Sequence, residues 1–109
     1  MLAPMEYVAD ESVVFVLPDG QRTPGRIAIG CPMKKAEACT CELWLDGLEP
    51  QRTIYGDSTL QAVSLALRFA HLRLEALIEA GGRVVFEDDG DVPLDALFGP
   101  LDRNAGERR

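Results

Sequence analysis

Residues able to do chemistry are few in this sequence, and their spacing points in more than one direction. His71 is the only histidine. It stands at helical spacing from Arg68 and Glu75, so it could act as a general acid or base with a carboxylate one turn away. A small hydrolase or ligand-binding protein would gather His71, Glu75 and Asp57 around a pocket. The competing reading, which the pattern favours, is a solvated histidine flanked by i, i+3 and i, i+4 charge pairs worth about 0.2–0.5 kcal/mol each. Ser58 is a conceivable nucleophile, but Gly56-Asp57-Ser58-Thr59 lacks the Gly-x-Ser-x-Gly elbow, and helix capping accounts for it. Cys39 and Cys41, with Cys31, raise zinc; a structural site takes four ligands, usually from paired Cys-x-x-Cys knuckles. On a strand both Cys39 and Cys41 point to the side of Leu43, where a free cysteine behaves as a small hydrophobe. The acidic run Glu87-Asp88-Asp89-Gly90-Asp91 lacks the alternating ligands and distal Glu of a calcium loop and reads as a turn. No catalytic residue, cofactor or metal is therefore expected, and an enzyme is the less favoured reading.

Composition narrows the partners. The 109 residues carry 18 Asp and Glu against 11 Lys and Arg, a formal charge of −7. Nucleic acid is an unfavourable partner, because phosphate binding needs clustered cations. The only short basic clusters are Lys34-Lys35, Arg68 with Arg73, and Arg108-Arg109. Met1 to Asp10 has no basic start followed by an apolar stretch, so no export is expected and the location reads as cytoplasmic. The apolar segment from Leu60 to Ala80 is broken by Arg68, His71, Arg73, Glu75 and Glu79, which excludes a membrane span. Three cysteines without an export signal read as reduced thiols.

The elements that would position these side chains make one α+β domain over 1–101, with a flexible tail at 102–109. Ser12 to Leu17 is a β-branched run that stops at Pro18-Asp19-Gly20. Arg26 to Cys31 and Cys39 to Asp46 alternate, and Gln51 to Tyr55 follows the turn at Asp46-Gly47. Tight connections favour an antiparallel β-meander. A long helix runs from Thr59 to Ala80, opened by a capping box at Ser58 to Gln61 and stopped by Gly81-Gly82. Arg83 to Glu87 is a last strand, and Val92 to Phe98 a short helix with Pro93 in its first turn.

Projected at 100° per residue, the long helix has one narrow polar stripe of Gln61, Ser64, Arg68, His71, Glu75 and Glu79. Leu60, Val63, Leu67, Ala70, Leu74 and Leu77 line one side. Leu65, Phe69, Leu72 and Ala76 continue around the other. Arg73 interrupts this arc and, if buried, requires an acidic or carbonyl partner, the milder alternative being that it snorkels along its aliphatic stem. One sheet face does not cover so wide an arc, so Leu65, Phe69 and Leu72 need a second surface. It is supplied either by Val92, Leu94, Leu97 and Phe98 or by another chain. With Trp44 on the polar side of its strand, they form a candidate interaction surface, with a homodimer as the default arrangement.

Asp46-Gly47, Tyr55-Gly56, Ser58, Gln61, Ala62, Leu65, Ala66 and Leu67 also resemble a family of small uncharacterised bacterial domains. In that family a strand ending in Asp-Gly precedes a Tyr-Gly-x-Asp-Ser-x-Gln-Ala-Leu-like start to a Leu/Ala-rich helix. Here Asp57 lies one place before Ser58, and Val63 stands where the family has Leu. The resemblance covers the middle third of the chain. It implies a bacterial origin and this fold, but no activity, leaving a non-enzymatic binding or accessory protein as the favoured function.

Overall fold

The computed structural model describes residues 6–100. Their elements are β1 (Tyr7–Val16), β2 (Arg22–Gly30), β3 (Met33–Lys34), β4 (Cys39–Asp46), β5 (Glu49–Gly56), α1 (Thr59–Glu79), β6 (Arg83–Val85) and α2 (Leu94–Phe98). The expected tail at 102–109 lies outside the described residues.

Turn chemistry sets the strand pairings. At Pro18-Asp19-Gly20 the Gly20 N–H donates to the Leu17 carbonyl at 2.8 Å, with φ +92° at the glycine, and β1 folds back on β2. At Asp46-Gly47 the Leu48 N–H donates to the Leu45 carbonyl at 3.0 Å, and β4 folds back on β5. Every pairing in the sheet is antiparallel. The strands lie side by side in the order β6, β1, β2, β4, β5. The short β3 extends the β2 side of β4, where Met33 faces Thr40. The outer edge of β5 pairs with nothing among the described residues.

Several boundaries differ from the sequence reading. β1 reaches back to Tyr7, β2 begins at Arg22, β5 at Glu49, and β6 ends at Val85 because the chain turns at Phe86.

The helix obeys its caps. Ser58 Oγ accepts from the Gln61 N–H at 3.0 Å, and Gln61 Oε1 accepts from the Asp57 N–H at 2.5 Å. This is the reciprocal bonding of a capping box, moved back one residue. At the other end Gly81 takes φ +102°, its N–H donates to Ile78, and the Gly82 N–H donates to Leu77. That pair of bonds is a Schellman stop, which a left-handed glycine allows at no steric cost.

The core lies between one sheet face and α1. Alternation sends Phe15, Ile29, Leu43 and Leu45 inward, all fully buried. The helix meets them with Ala62, Ala66 and Ala70, each inaccessible, and with Leu74 and Leu77. Small side chains at i, i+4 and i+8 let the helix backbone approach the sheet closely. The side expected to face the sheet is accordingly rotated. Leu60, read as lining the core, is 76% exposed.

The expectation for Arg73 is met by an acid. Its Nε donates to Glu49 Oε2 at 2.5 Å, and its Nη2 pairs with the same oxygen. The guanidinium is half exposed while the Glu49 side chain is nearly buried. Glu49 Oε1 has no hydrogen bond, and Arg52 Nε approaches it only to 3.7 Å. This contact raises the already high Arg73 pKa and ties α1 to β5. We predict that Arg73→Met costs about 1–2 kcal/mol, because it strands a nearly buried carboxylate, a loss moderated by the solvent around the arginine. The measurement is a urea unfolding midpoint, which should fall at unchanged slope and recover when Glu49→Gln is added. An unchanged midpoint in Arg73→Met would show that the pair contributes nothing.

Candidate functional site

The chain after α1 builds the most chemically dense cluster in the protein. Beyond β6, the Phe86 N–H donates to the Gly90 carbonyl, and Asp89 adopts φ +73° in the intervening turn. The acidic run Glu87 to Asp91 therefore serves as that turn, with Arg22 on Asp89 and Arg83 on Asp91. The Val92 N–H then donates to Val84, which aims α2 back across α1.

There the Phe98 ring stacks on the His71 imidazole, with centroids 5.1 Å apart and planes at 21°. Asp95 Oδ1 lies 3.1 Å from His71 Nε2, and Glu75 Oε1 lies 3.7 Å from the same nitrogen. His71 is 2% exposed. The structure does not bear out a solvated surface histidine: α2 folds over the middle of the polar stripe and buries His71, while Gln61, Ser64 and Arg68 stay exposed.

Electrostatics make this a demanding arrangement. Ligand atoms of His71, Glu75 and Asp95 all lie within 4.8 Å of one another. Among the described residues, His71 is the only ion-pair partner of either carboxylate. Two carboxylates at that separation repel by about 1–4 kcal/mol between aqueous and near-surface dielectrics. Asp95 stands at hydrogen-bond distance from His71 Nε2, and Glu75 lies just beyond it.

The three residues of the rival hydrolase reading, His71, Glu75 and Asp57, are not brought together. Asp57 precedes the helix, fourteen residues before His71, about 20 Å away along the axis. Asp95 takes the place that Asp57 was to fill. Nothing in the pattern around Asp95 marks it, since its approach to His71 depends on where α2 docks. General acid-base work also needs Nε2 to face a substrate. Here it faces two carboxylates beneath Phe98.

A second feature lies on the opposite flank of α1. Leu65 and Leu72, each 40% exposed, form an apolar groove with Phe69 and Ile54, which Arg68 also lines. The Arg52 guanidinium sits 4.9 Å from the Phe69 ring centroid. The C-terminal residues proposed as cover do not reach this flank. Val92 and Leu94 are buried in the core, Phe98 is on His71, and Leu97 is exposed. Ala76 is likewise exposed.

Trp44 is placed elsewhere. It alternates with the inward Leu43 and Leu45, so it stands on the sheet face away from α1. It meets Tyr7 edge-on at 5.3 Å, and the Arg26 guanidinium lies over both rings while bonding Asp10. Leu65, Phe69 and Leu72 thus share one surface, and Trp44 belongs to another.

A cavity of about 190 Å³ lies between the exposed half of β1, Leu67 and Phe98; its lining is apolar apart from Glu11. No helix among the described residues is long and apolar enough to cross a membrane. No protein-family profile, curated protein or solved structure matches the chain.

The cysteines divide by environment. Cys39 and Cys41 are buried beside Leu43, and Cys41 Sγ lies 3.3 Å from the Gly30 carbonyl, whereas Cys31 is exposed. Burial, reinforced by Glu42 and Cys31, pushes the Cys41 thiol pKa up and keeps it protonated at neutral pH. Thiol labelling of the native protein should therefore show one fast site, Cys31, and two slow ones that react only on unfolding. Fast labelling of all three in native buffer would contradict this placement.

Proposed function

We propose that this protein is a non-enzymatic binding or accessory protein of the bacterial cytosol whose working unit is a homodimer. One observation carries the reading: the unpaired edge of β5 and the apolar groove of Ile54, Leu65, Phe69 and Leu72 lie side by side on one flank. A twofold interface uses the same patch on both copies. Antiparallel pairing of β5 with its copy, centred on Thr53, sets Arg52 opposite the other Ile54 and brings the two helix flanks together. Pro50 and the bulge opposite Leu43 to Leu45 guard only one end of this edge, leaving Gln51 to Tyr55 free to pair. The likeness of the middle third to small bacterial domains of unassigned activity accords with such a role.

The rival reading, a hydrolase or ligand-binding protein built on His71, Glu75 and Asp57, receives less support from this geometry. Asp57 is remote, and His71 Nε2 is enclosed. Nucleic acid is also the weaker partner. Among the described residues, Arg22, Arg26, Arg52, Arg73 and Arg83 are each held by carboxylates.

Light scattering tests the proposal. The native chain should give twice its 11.9 kDa mass. Because each copy carries a charge of −7, dimerisation should tighten as added salt screens the repulsion. Leu65→Glu with Leu72→Glu should yield a monomer whose melting curve keeps its cooperativity, since both side chains are partly solvated already. A native monomer at every attainable concentration would overturn the proposal, as would a dimer that persists in the double variant.

A further inference from the structure

We propose that His71, Glu75 and Asp95 form a binding site for a zinc-type divalent cation that clamps α2 to α1. The donor set suits such an ion: one imidazole nitrogen and two carboxylate oxygens, with a fourth position left for water or another ligand. His71 and Glu75 share one helical face at i, i+4, the spacing by which a helix offers two ligands to one metal. Asp95 completes the set from a different element.

The spacing fits as well. Ligand atoms around a tetrahedral zinc sit about 3.3 Å apart, given bonds of about 2.0–2.1 Å. The separations from Nε2 are 3.1 and 3.7 Å, so only the two carboxylates, at most 4.8 Å apart, need to draw closer. The burial of His71 is the independent observation. An imidazole 2% exposed has its Nε2 aimed at two acids that have no other cationic partner among the described residues. Phe98 stacked on the ring fixes its plane, as the surroundings of a metal-bound histidine must. A side chain held in this way, with two negative charges converging on its tip, is prepared to share a cation with them.

The test uses the full chain, freed of metal by a chelator and titrated with zinc chloride in a calorimeter. One ion per chain should bind. At a hundredfold excess over the dissociation constant, the melting temperature should rise by about 5 °C or more. Asp95→Asn and Glu75→Gln preserve shape while removing a ligand charge. Each should weaken binding at least about tenfold. Asp95 is largely exposed, and a cooperative melting curve for Asp95→Asn separates loss of a ligand charge from loss of the fold. Cys31→Ser should bind as the native chain does. Cobalt in place of zinc should give a visible spectrum without the near-ultraviolet thiolate charge-transfer band. Absence of zinc binding by the native chain would overturn the proposal and leave His71 as a hydrogen-bond partner of Asp95. Equal affinity in Asp95→Asn, loss of binding in Cys31→Ser, or a thiolate band with cobalt would overturn it too.

Discussion

A helix about 10 Å across cannot cover a sheet five strands wide, which spans about 20 Å between its outer strands. Where the helix settles decides what every other segment must do. Here the inaccessible stripe of Ala62, Ala66 and Ala70 lets α1 sink against β4 and β5, under which Cys41, Leu43 and Leu45 supply the matching apolar surface. The inner face of β1 and β2 is left only partly covered. That vacancy is filled from the C-terminal side by Phe86, Val92, Leu94 and Phe98. To reach it, α2 must lie along the flank of α1 that carries His71. Burial of the histidine is thus a consequence of how close three alanines allow a helix to come to a sheet.

The same placement leaves the other flank bare. Moving α1 toward β5 puts Leu65, Phe69 and Leu72 beyond the last strand, where no further strand lies beneath them. Arg52 reaches over the Phe69 ring and Arg73 reaches to Glu49, so the Arg52 guanidinium shields part of the apolar surface. Arginine serves here because its guanidinium can stack on an aromatic face or fork onto a carboxylate while its stem stays in contact with carbon. The shielding remains incomplete, as the exposure of Leu65 and Leu72 shows.

Much of this architecture is legible in the sequence because it rests on local signals. Ser58, Gln61 and Gly81 mark the helix ends through hydrogen bonds to neighbours within a few residues. Cys39 to Asp46 alternates cleanly because one face is buried along its whole length. The early half of β1 is not legible: Ala9 and Glu11 face the inner side but stay exposed, so no alternation records their pairing with β2. The two-residue β3 is invisible for a similar reason, since its only support is the edge of β4. His71 was misplaced by a projection that assigns polar residues to solvent, a rule that fails when a second element folds over the polar stripe. Asp95 carries no signal, because its meeting with His71 is a long-range event set by the docking of α2.

The two flanks of α1 also differ in what holds them. The groove beside β5 is apolar, so its affinity for a cover depends little on pH and increases with the carbon surface buried. The cluster beneath α2 depends on charge. There a buried imidazole faces two carboxylates, so its surroundings are polar where those of the other flank are apolar. Because α2 is a five-residue helix with no side-chain cap at its start, little intrinsic helix stability holds it in place. Its docking relies on Val92, Leu94 and Phe98 together with the contact between Asp95 and His71. The helix α1 therefore carries one flank that stays partly exposed and another that α2 covers. The alanine stripe keeps the two apart, since neither flank can shift without lifting Ala62, Ala66 and Ala70 from the sheet.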